Sequence, residues 1–311
     1  MMMDKIKAIT GTFLAMILAF FSTLTAQEHP DAYRSELFQT SASPSVTIET
    51  SGGFIEVQGH DADEVRVDMI VRRGNRVLSP SDTDLSDFEI TIHQENDRVE
   101  ASAKRSGGIS RWFGGGSNIS VNFVIHAPHD SEVKGSTSGG SVTVKNISNS
   151  VDMRTSGGSV TAEAISGNAD LRTSGGSITL NDIEGTLVAR TSGGSIRADG
   201  LSGSSELATS GGSIRLENIK GSVSARTSGG SIRAHMLEFD NDLDFRTSGG
   251  SISVQIPTTE HFDVDLRGSR VNIDLNNFSG NSERNRVNGR MGNGGPKIAA
   301  TTSGGSVSVE Y

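Results

Sequence analysis

The sequence predicts an all-β protein: a parallel β solenoid of the β-helix or β-roll kind, wound right-handed in 18-residue coils of two short strands each. Three observations carry that prediction: a motif at a fixed spacing, an apolar pattern locked to the same frame, and 38 glycines beside an aromatic content of only 5%. The motif, Thr-Ser-Gly-Gly, begins at Thr50, Thr137, Thr155, Thr173, Thr191, Thr209, Thr227, Thr247 and Thr302. From Thr137 to Thr227 the five consecutive intervals are 18 residues, and the next is 20. A fixed period of this length marks a repeat architecture in which one unit is too small to bury its own apolar face and neighbouring units stack.

Each unit divides into nine-residue halves, as in Gly211 to Ile219 followed by Lys220 to Ser228. In the first halves the fourth and sixth places read Val142/Val144, Val160/Ala162, Ile178/Leu180, Ile196/Ala198, Ile214/Leu216 and Ile232/Ala234, with polar residues between. That alternation places the apolar pair on one face of a strand. The ninth place, Ile147, Ile165, Ile183, Leu201, Ile219 and Leu237, is out of phase, so a corner must lie between the sixth and ninth places. The second halves repeat the apolar pair as Val151/Met153, Ala169/Leu171, Leu187/Ala189, Ser205/Leu207 and Val223/Ala225. The Gly pairs suit tight turns and close approach of adjacent coils, which would stack about 4.8 Å apart, and crossover handedness favours a right-handed winding. A flexible Gly-Ser linker would have no reason to hold apolar residues at fixed places.

In chain order, residues 1–26 read as a signal peptide: Lys5 and Lys7 precede an apolar core from Phe13 to Phe21, and Leu24-Thr25-Ala26 offers a small residue at the cut. That core is shorter than the roughly 20 residues a membrane-spanning helix needs. Residues 27–43 read as a mobile lead-in and 44–136 as irregular N-terminal coils with longer strands. Residues 137–256 are the regular array, and 257–311 are C-terminal coils with an inserted loop at 276–295. Exposed ends of such a stack invite pairing between molecules, so caps are expected.

With no cysteine, the chain has no disulfide, thiolate ligand or lipidated N-terminal Cys. No transmembrane anchor is expected, and the destination is the periplasm, the outer surface or the exterior. Removing Asp4, Lys5 and Lys7 with the signal peptide takes the formal charge from −9 to −10, which argues against nucleic acid as a partner.

Nine copies of Thr-Ser-Gly-Gly, most followed by Ser and then Ile or Val, resemble the bacterial family called "putative adhesin". So does the ending Gly294-Gly295-Pro296-Lys297-Ile298 that leads into Thr302-Ser303-Gly304-Gly305-Ser306-Val307. The resemblance covers most of residues 44–311. It implies an exported β-helical protein with no established catalytic residues. The whole chain reads as a binding or adhesion scaffold at the cell envelope, with envelope glycans or surface proteins as the expected partners.

Stacking would align Arg154, Arg172, Arg190, Ala208, Arg226 and Arg246 in one outward column, beside Asp152, Asp170, Val188, Glu206, Ser224 and Asp244 two residues earlier. The pair of columns reads either as a charge-balanced lattice or as a ladder for an anionic glycan, whose carboxylates or phosphates fit the Arg fork. A second candidate is the loop from Ser106 to Ser117, where Arg111, Trp112 and Phe113 sit among glycines, either as an apolar plug or as a binding tip for sugar rings.

No metal or other cofactor is expected. Calcium-binding nonapeptides need Asp at a fixed place of each repeat, but the sixth place holds Val144, Ala162, Leu180, Ala198 and Leu216. His126 and His129 lack a third close ligand. No catalytic signature is present. An enzyme acting on acidic polysaccharide through Asp152 and Asp170 beside Arg154 and Arg172 is the alternative reading. Ice binding on the Thr143, Thr161 and Thr179 face is a lesser one, since Arg197, Arg215 and Arg233 interrupt it.

Overall fold

The computed structural model describes residues 29–83, 85–106 and 118–311. The described residues form strands and no helix. Strands β1 (Arg34–Gln39), β2 (Ser45–Thr50), β3 (Ile55–His60), β4 (Glu64–Arg73), β5 (Arg76–Leu78), β6 (Phe88–Glu95), β7 (Arg98–Arg105), β8 (Ile119–Pro128) and β9 (Glu132–Thr137) precede the array. The array holds β10 (Val142–Ile147), β11 (Val151–Thr155), β12 (Val160–Thr173), β13 (Ile178–Arg190), β14 (Ile196–Ala208), β15 (Ile214–Arg226), β16 (Ile232–Met236), β17 (Leu243–Thr247) and β18 (Ile252–Gln255). After it come β19 (Phe262–Arg267), β20 (Arg270–Asn272), β21 (Phe278–Glu283), β22 (Arg286–Met291), β23 (Lys297–Thr302) and β24 (Ser306–Glu310).

Within the array every pairing is parallel, and equivalent residues meet: Val142 with Val160, Val160 with Ile178, Ile178 with Ile196, Ile196 with Ile214 and Ile214 with Ile232. The inward places fill a narrow core. Ile214, Leu216, Ile219, Val223 and Ala225 are all buried, and their counterparts in the other coils repeat the pattern with one correction: the expected ninth-place Leu237 is exposed, because the register shifts after Leu216 and the buried Met236 takes the place beside Ile219. Each fully buried aliphatic side chain contributes about 1.5–3 kcal/mol.

The phase change required before the ninth place occurs at a single residue. Asn146, Ala164, Asp182, Gly200 and Asn218, all at the eighth place, have left-handed φ values of 57°, 54°, 53°, 72° and 57°. One such residue turns the chain and aims Ile147, Ile165, Ile183, Leu201 and Ile219 inward. This corner is so tight that the ladder continues through it. In four consecutive coils the two expected short strands are therefore one bent strand of 13 or 14 residues, β12 to β15.

The Thr-Ser-Gly-Gly corner is held by its own hydrogen bonds. Thr191 is buried, yet its Oγ1 donates to the Gly176 carbonyl one coil back (2.7 Å) and accepts the Gly194 N–H (3.3 Å). The same pair of bonds recurs at Thr155, Thr173, Thr209, Thr227 and Thr247. A side chain on the second glycine would drive its Cβ into the backbone of the preceding coil, as at Gly194 against Gly176. The first glycine is less confined: a Cβ on Gly193 would stand 3.3 Å from the Gly175 oxygen. The Ser after the motif accepts the N–H of its successor on Oγ, as in Ser213 N–H to Ser195 Oγ (3.2 Å).

Both ends depart from sequence order. The coil β2–β3 does not lie at the end of the stack: β2 pairs with β7 on one side and β9 on the other, and β3 with β8 and β10. The outermost N-terminal coil is thus β7–β8, and Thr50 and Thr137 join the same hydrogen-bonded column as the array, through Val121 O and Gly53 O. At the other end β23 lies between β17 and β19, and β24 between β18 and β20, so the coil from Lys297 to Tyr311 is last in the chain but not in the stack.

Antiparallel strands cover the outer coils. β6 pairs with β7 and β4 with β8 at one end, and β22 pairs with β19 at the other. Two segments are corrected by this. The lead-in at 27–43 contains β1, paired antiparallel along β4, with Phe38 packed against the core and Leu37 on the exposed face. The loop at 276–295 is a hairpin, β21–β22, whose buried Val287 and Met291 anchor it to the core. The signal peptide expected at residues 1–26 lies outside the described residues.

Candidate functional site

The structure brings the predicted Arg column together. Strand register places Arg154 beside Arg172, Arg172 beside Arg190, Ala208 beside Arg190 and Arg226, and Arg246 beside Arg226. All five arginines have a carboxylate partner. Arg154 pairs with Asp152 at 2.9 Å, and Arg172 grips both oxygens of Asp170 at 2.7 Å. Where the acid two residues earlier is missing, the Arg reaches into the next coil. Arg190, preceded by Val188, binds Glu206 at 2.9 Å, and Glu206 is free to accept it because its own coil carries Ala208. Arg226, preceded by Ser224, reaches Asp244 at 3.3 Å, which Arg246 also binds at 2.9 Å. The irregular residues of the two columns are therefore matched, and four acids serve the five arginines, Asp244 being shared by Arg226 and Arg246.

Asp170 raises the pKa of Arg172, chiefly through the hydrogen bond. These side chains are well exposed, so each pair contributes at most about 1 kcal/mol. Asp152 keeps one buried carboxylate oxygen without a hydrogen-bond partner. Between the Arg column and the Ser residues of the corner runs an open groove of about 680 Å³, bordered by Arg154, Arg172 and Arg190 on one side and Ser156, Ser174 and Ser192 on the other. Each guanidinium has five N–H donors, so a single ion pair leaves others directed to solvent.

The opposite strand of the coil carries a second column. Thr143, Thr161 and Thr179 stack in register and are followed by Arg197, Arg215 and Arg233, then Ser253. Arg215 binds Glu217 at 3.0 Å. Among the described residues, Arg197 and Arg233 have no ion-pair partner. In the sequence these three arginines register only as the end of a threonine run, although a departure from the repeat in three successive coils is itself a signal.

The fold also gathers His60 with His126 and His129, a grouping that sequence spacing shows only for the last two. Gln58 on β3 pairs with His126 and His60 with Pro128. His60 Nδ1 accepts the Ala62 N–H at 3.0 Å, while its Nε2 is buried without a partner. Burial lowers the pKa of both His60 and His126, against an opposing pull from Glu64 on the first and Asp68 on the second. His129 bonds the Asn146 carbonyl at 2.7 Å and faces Asp61 at 3.3 Å. Among the described residues no group of three or more His, Cys, Asp or Glu is placed to hold a metal ion. No helix among them is long and apolar enough to cross a membrane. The predicted aromatic loop with Arg111, Trp112 and Phe113 lies outside the described residues.

A stack of parallel strands with an invariant corner and variable polar faces defines a solenoid-type β protein. The chain belongs to the Toastrack DUF4097 family, whose model matches residues 27–310, and the resemblance to adhesin-type proteins noted in its motifs holds. Three solved structures are similar to this chain at low identity. A "putative lipid binding protein" from Parabacteroides distasonis is 16% identical over 89% of this chain and 96% of that one, with a TM-score of 0.46. A "putative adhesin" from Bacteroides fragilis is 13% identical over 89% and 95%, with a TM-score of 0.40. A "putative cell adhesion protein" from Clostridium sporogenes is 11% identical over 89% and 98%, with a TM-score of 0.23. Among curated proteins, none matches the sequence.

Proposed function

We propose that this chain is a non-enzymatic, exported binding scaffold of the cell envelope, a right-handed solenoid of 18-residue coils that holds an envelope glycan or a surface protein along an outer face. The observation that carries the reading is the groove beside Arg154, Arg172 and Arg190, where guanidinium donors and Ser hydroxyls recur coil after coil on a rigid backbone. A repeating surface suits a repeating ligand: a saccharide chain laid along the stack meets the same donors at each step. Asp152 and Asp170 are engaged by Arg154 and Arg172, which favours a binding surface over a pair of catalytic carboxylates.

The test is a glycan array probed with the mature chain and with Arg172→Gln/Arg190→Gln. Binding of acidic envelope glycans that falls at least tenfold in the variant is the expected result. Silence on the array, or cleavage of a bound glycan, would overturn the reading.

A further inference from the structure

We infer that Arg197, Arg215 and Arg233 form a second anion-binding stripe, on a different face from the groove above, and that its ligand is a single extended chain of acidic sugars bearing carboxylates. These three side chains are exposed and stand in register on β14, β15 and β16. Neighbouring guanidinium columns recur at strand spacing, so the three span about 10 Å.

The two Arg columns differ in how their charge is met. On the first face each Arg has an acid in its own coil or the next. On the second, Glu217 serves Arg215 at 3.0 Å, but the two outer arginines are left over. Asp199, two residues after Arg197, accepts a hydrogen bond from Asn218 Nδ2 at 2.7 Å. His235 stands where an acid would follow Arg233, and leans toward Glu217 at 3.8 Å. Like charges facing each other across a ladder are unfavourable, and the threonines of the three preceding coils show that the fold does not require Arg here. An anion supplied from outside would relieve the repulsion.

The surroundings select the ligand. One side of the stripe is the column Ser195, Ser213, Ser231 and Ser251, and with it the arginines line a groove of about 260 Å³. Ser195, Ser213 and Ser231 each accept the N–H of the next serine on Oγ at 3.2 Å. Each hydroxyl hydrogen is thereby left to donate outward. The other side carries Asp199 and Glu217, which can accept from sugar hydroxyls and would repel a broad anionic plane. The cationic strip is therefore one side chain wide. That width fits a polysaccharide strand, with a carboxylate forked on each guanidinium, and does not fit a lipid surface or the wide phosphate array of a duplex.

The probe is oligogalacturonate, titrated into the full mature chain and into Arg197→Thr/Arg215→Thr/Arg233→Thr, which installs the residue that the preceding coils already carry at this place. The expected result is binding that weakens as salt rises, a loss of at least tenfold in the triple variant, and an unchanged melting temperature. Arg172→Gln/Arg190→Gln should keep affinity for this probe within twofold, so the stripe and the groove can fail separately. Absence of binding by the parent chain, or equal binding by the triple variant, would overturn the inference. So would binding to vesicles of 30% phosphatidylglycerol that depends on the three arginines while oligogalacturonate is ignored.

Discussion

The corners and the faces of this solenoid obey different rules. At the Thr-Ser-Gly-Gly corner each motif residue has a geometric duty: Thr closes a donor and an acceptor bond, the second Gly leaves room for the backbone of the coil before it, and the Ser that follows the motif ties one coil to the next. On the faces the residue changes from coil to coil, and a missing acid is answered by a longer reach, as with Arg190 and Glu206. Repetition in the sequence therefore marks where the backbone is constrained, and departures from it mark where chemistry can be placed.

The contrast should break most sharply at the glycines. Gly194→Ala forces a Cβ against the backbone of the previous coil and should cost about 3 kcal/mol or more, read as a lowered midpoint in chemical denaturation. Gly193→Ala, one residue earlier in the same motif, should stay within about 1 kcal/mol of the parent. Equal effects from the two would remove the geometric account of the motif.

Next in size is Thr191→Val, which keeps the shape of the buried side chain but strands the Gly176 carbonyl and the Gly194 N–H. Its cost should be about 1–3 kcal/mol. A gain is expected from Ala164→Gly, because an alanine held at φ 54° carries a steric penalty of about 1–2 kcal/mol that exceeds the extra chain entropy of glycine, about 0.5–1 kcal/mol. A rise in melting temperature checks it.

A smaller effect concerns pH. The pKa of His60 is lowered by burial, with Glu64 opposing and His126 and His129 nearby; that of His126 is lowered by burial too, among Asp68, His60, Arg66 and Glu56. A histidine with a folded pKa below its unfolded value near 6.5 binds protons more readily when unfolded. Stability is therefore full above that value and falls as pH drops through it toward the folded pKa. Thermal melts between pH 7.5 and 5 should show this loss, and His60→Asn should flatten it, since the Asn oxygen can still accept the Ala62 N–H.

Much of the fold was legible in the sequence because a solenoid repeats its physics. The inward places, the phase break before the ninth place and the outward Arg column all followed from the period. The order of coils at the ends did not follow. Thr50 and Thr302 stand 87 and 55 residues from the nearest copy of the motif, and both belong to the same column as the array. The isolated copies were the available sign that the intervening segments leave the stack to build the outer coil and return. The hairpin at β21–β22 was hidden for another reason: its Asn, Gly and Arg content reads as loop, and few apolar side chains, Phe278, Val287 and Met291, attach it to the core. The His60 grouping depends on that same coil insertion, which no local pattern reveals.

The central claim is that the repeated corner builds the molecule while the arginine faces bind. Its most direct test is a titration of acidic oligosaccharide into one variant carrying Arg172→Gln, Arg190→Gln, Arg197→Thr, Arg215→Thr and Arg233→Thr, with its melting temperature recorded alongside. The account predicts a melting temperature within about 2 °C of the parent and no detectable binding; a variant that binds as the parent does would contradict it.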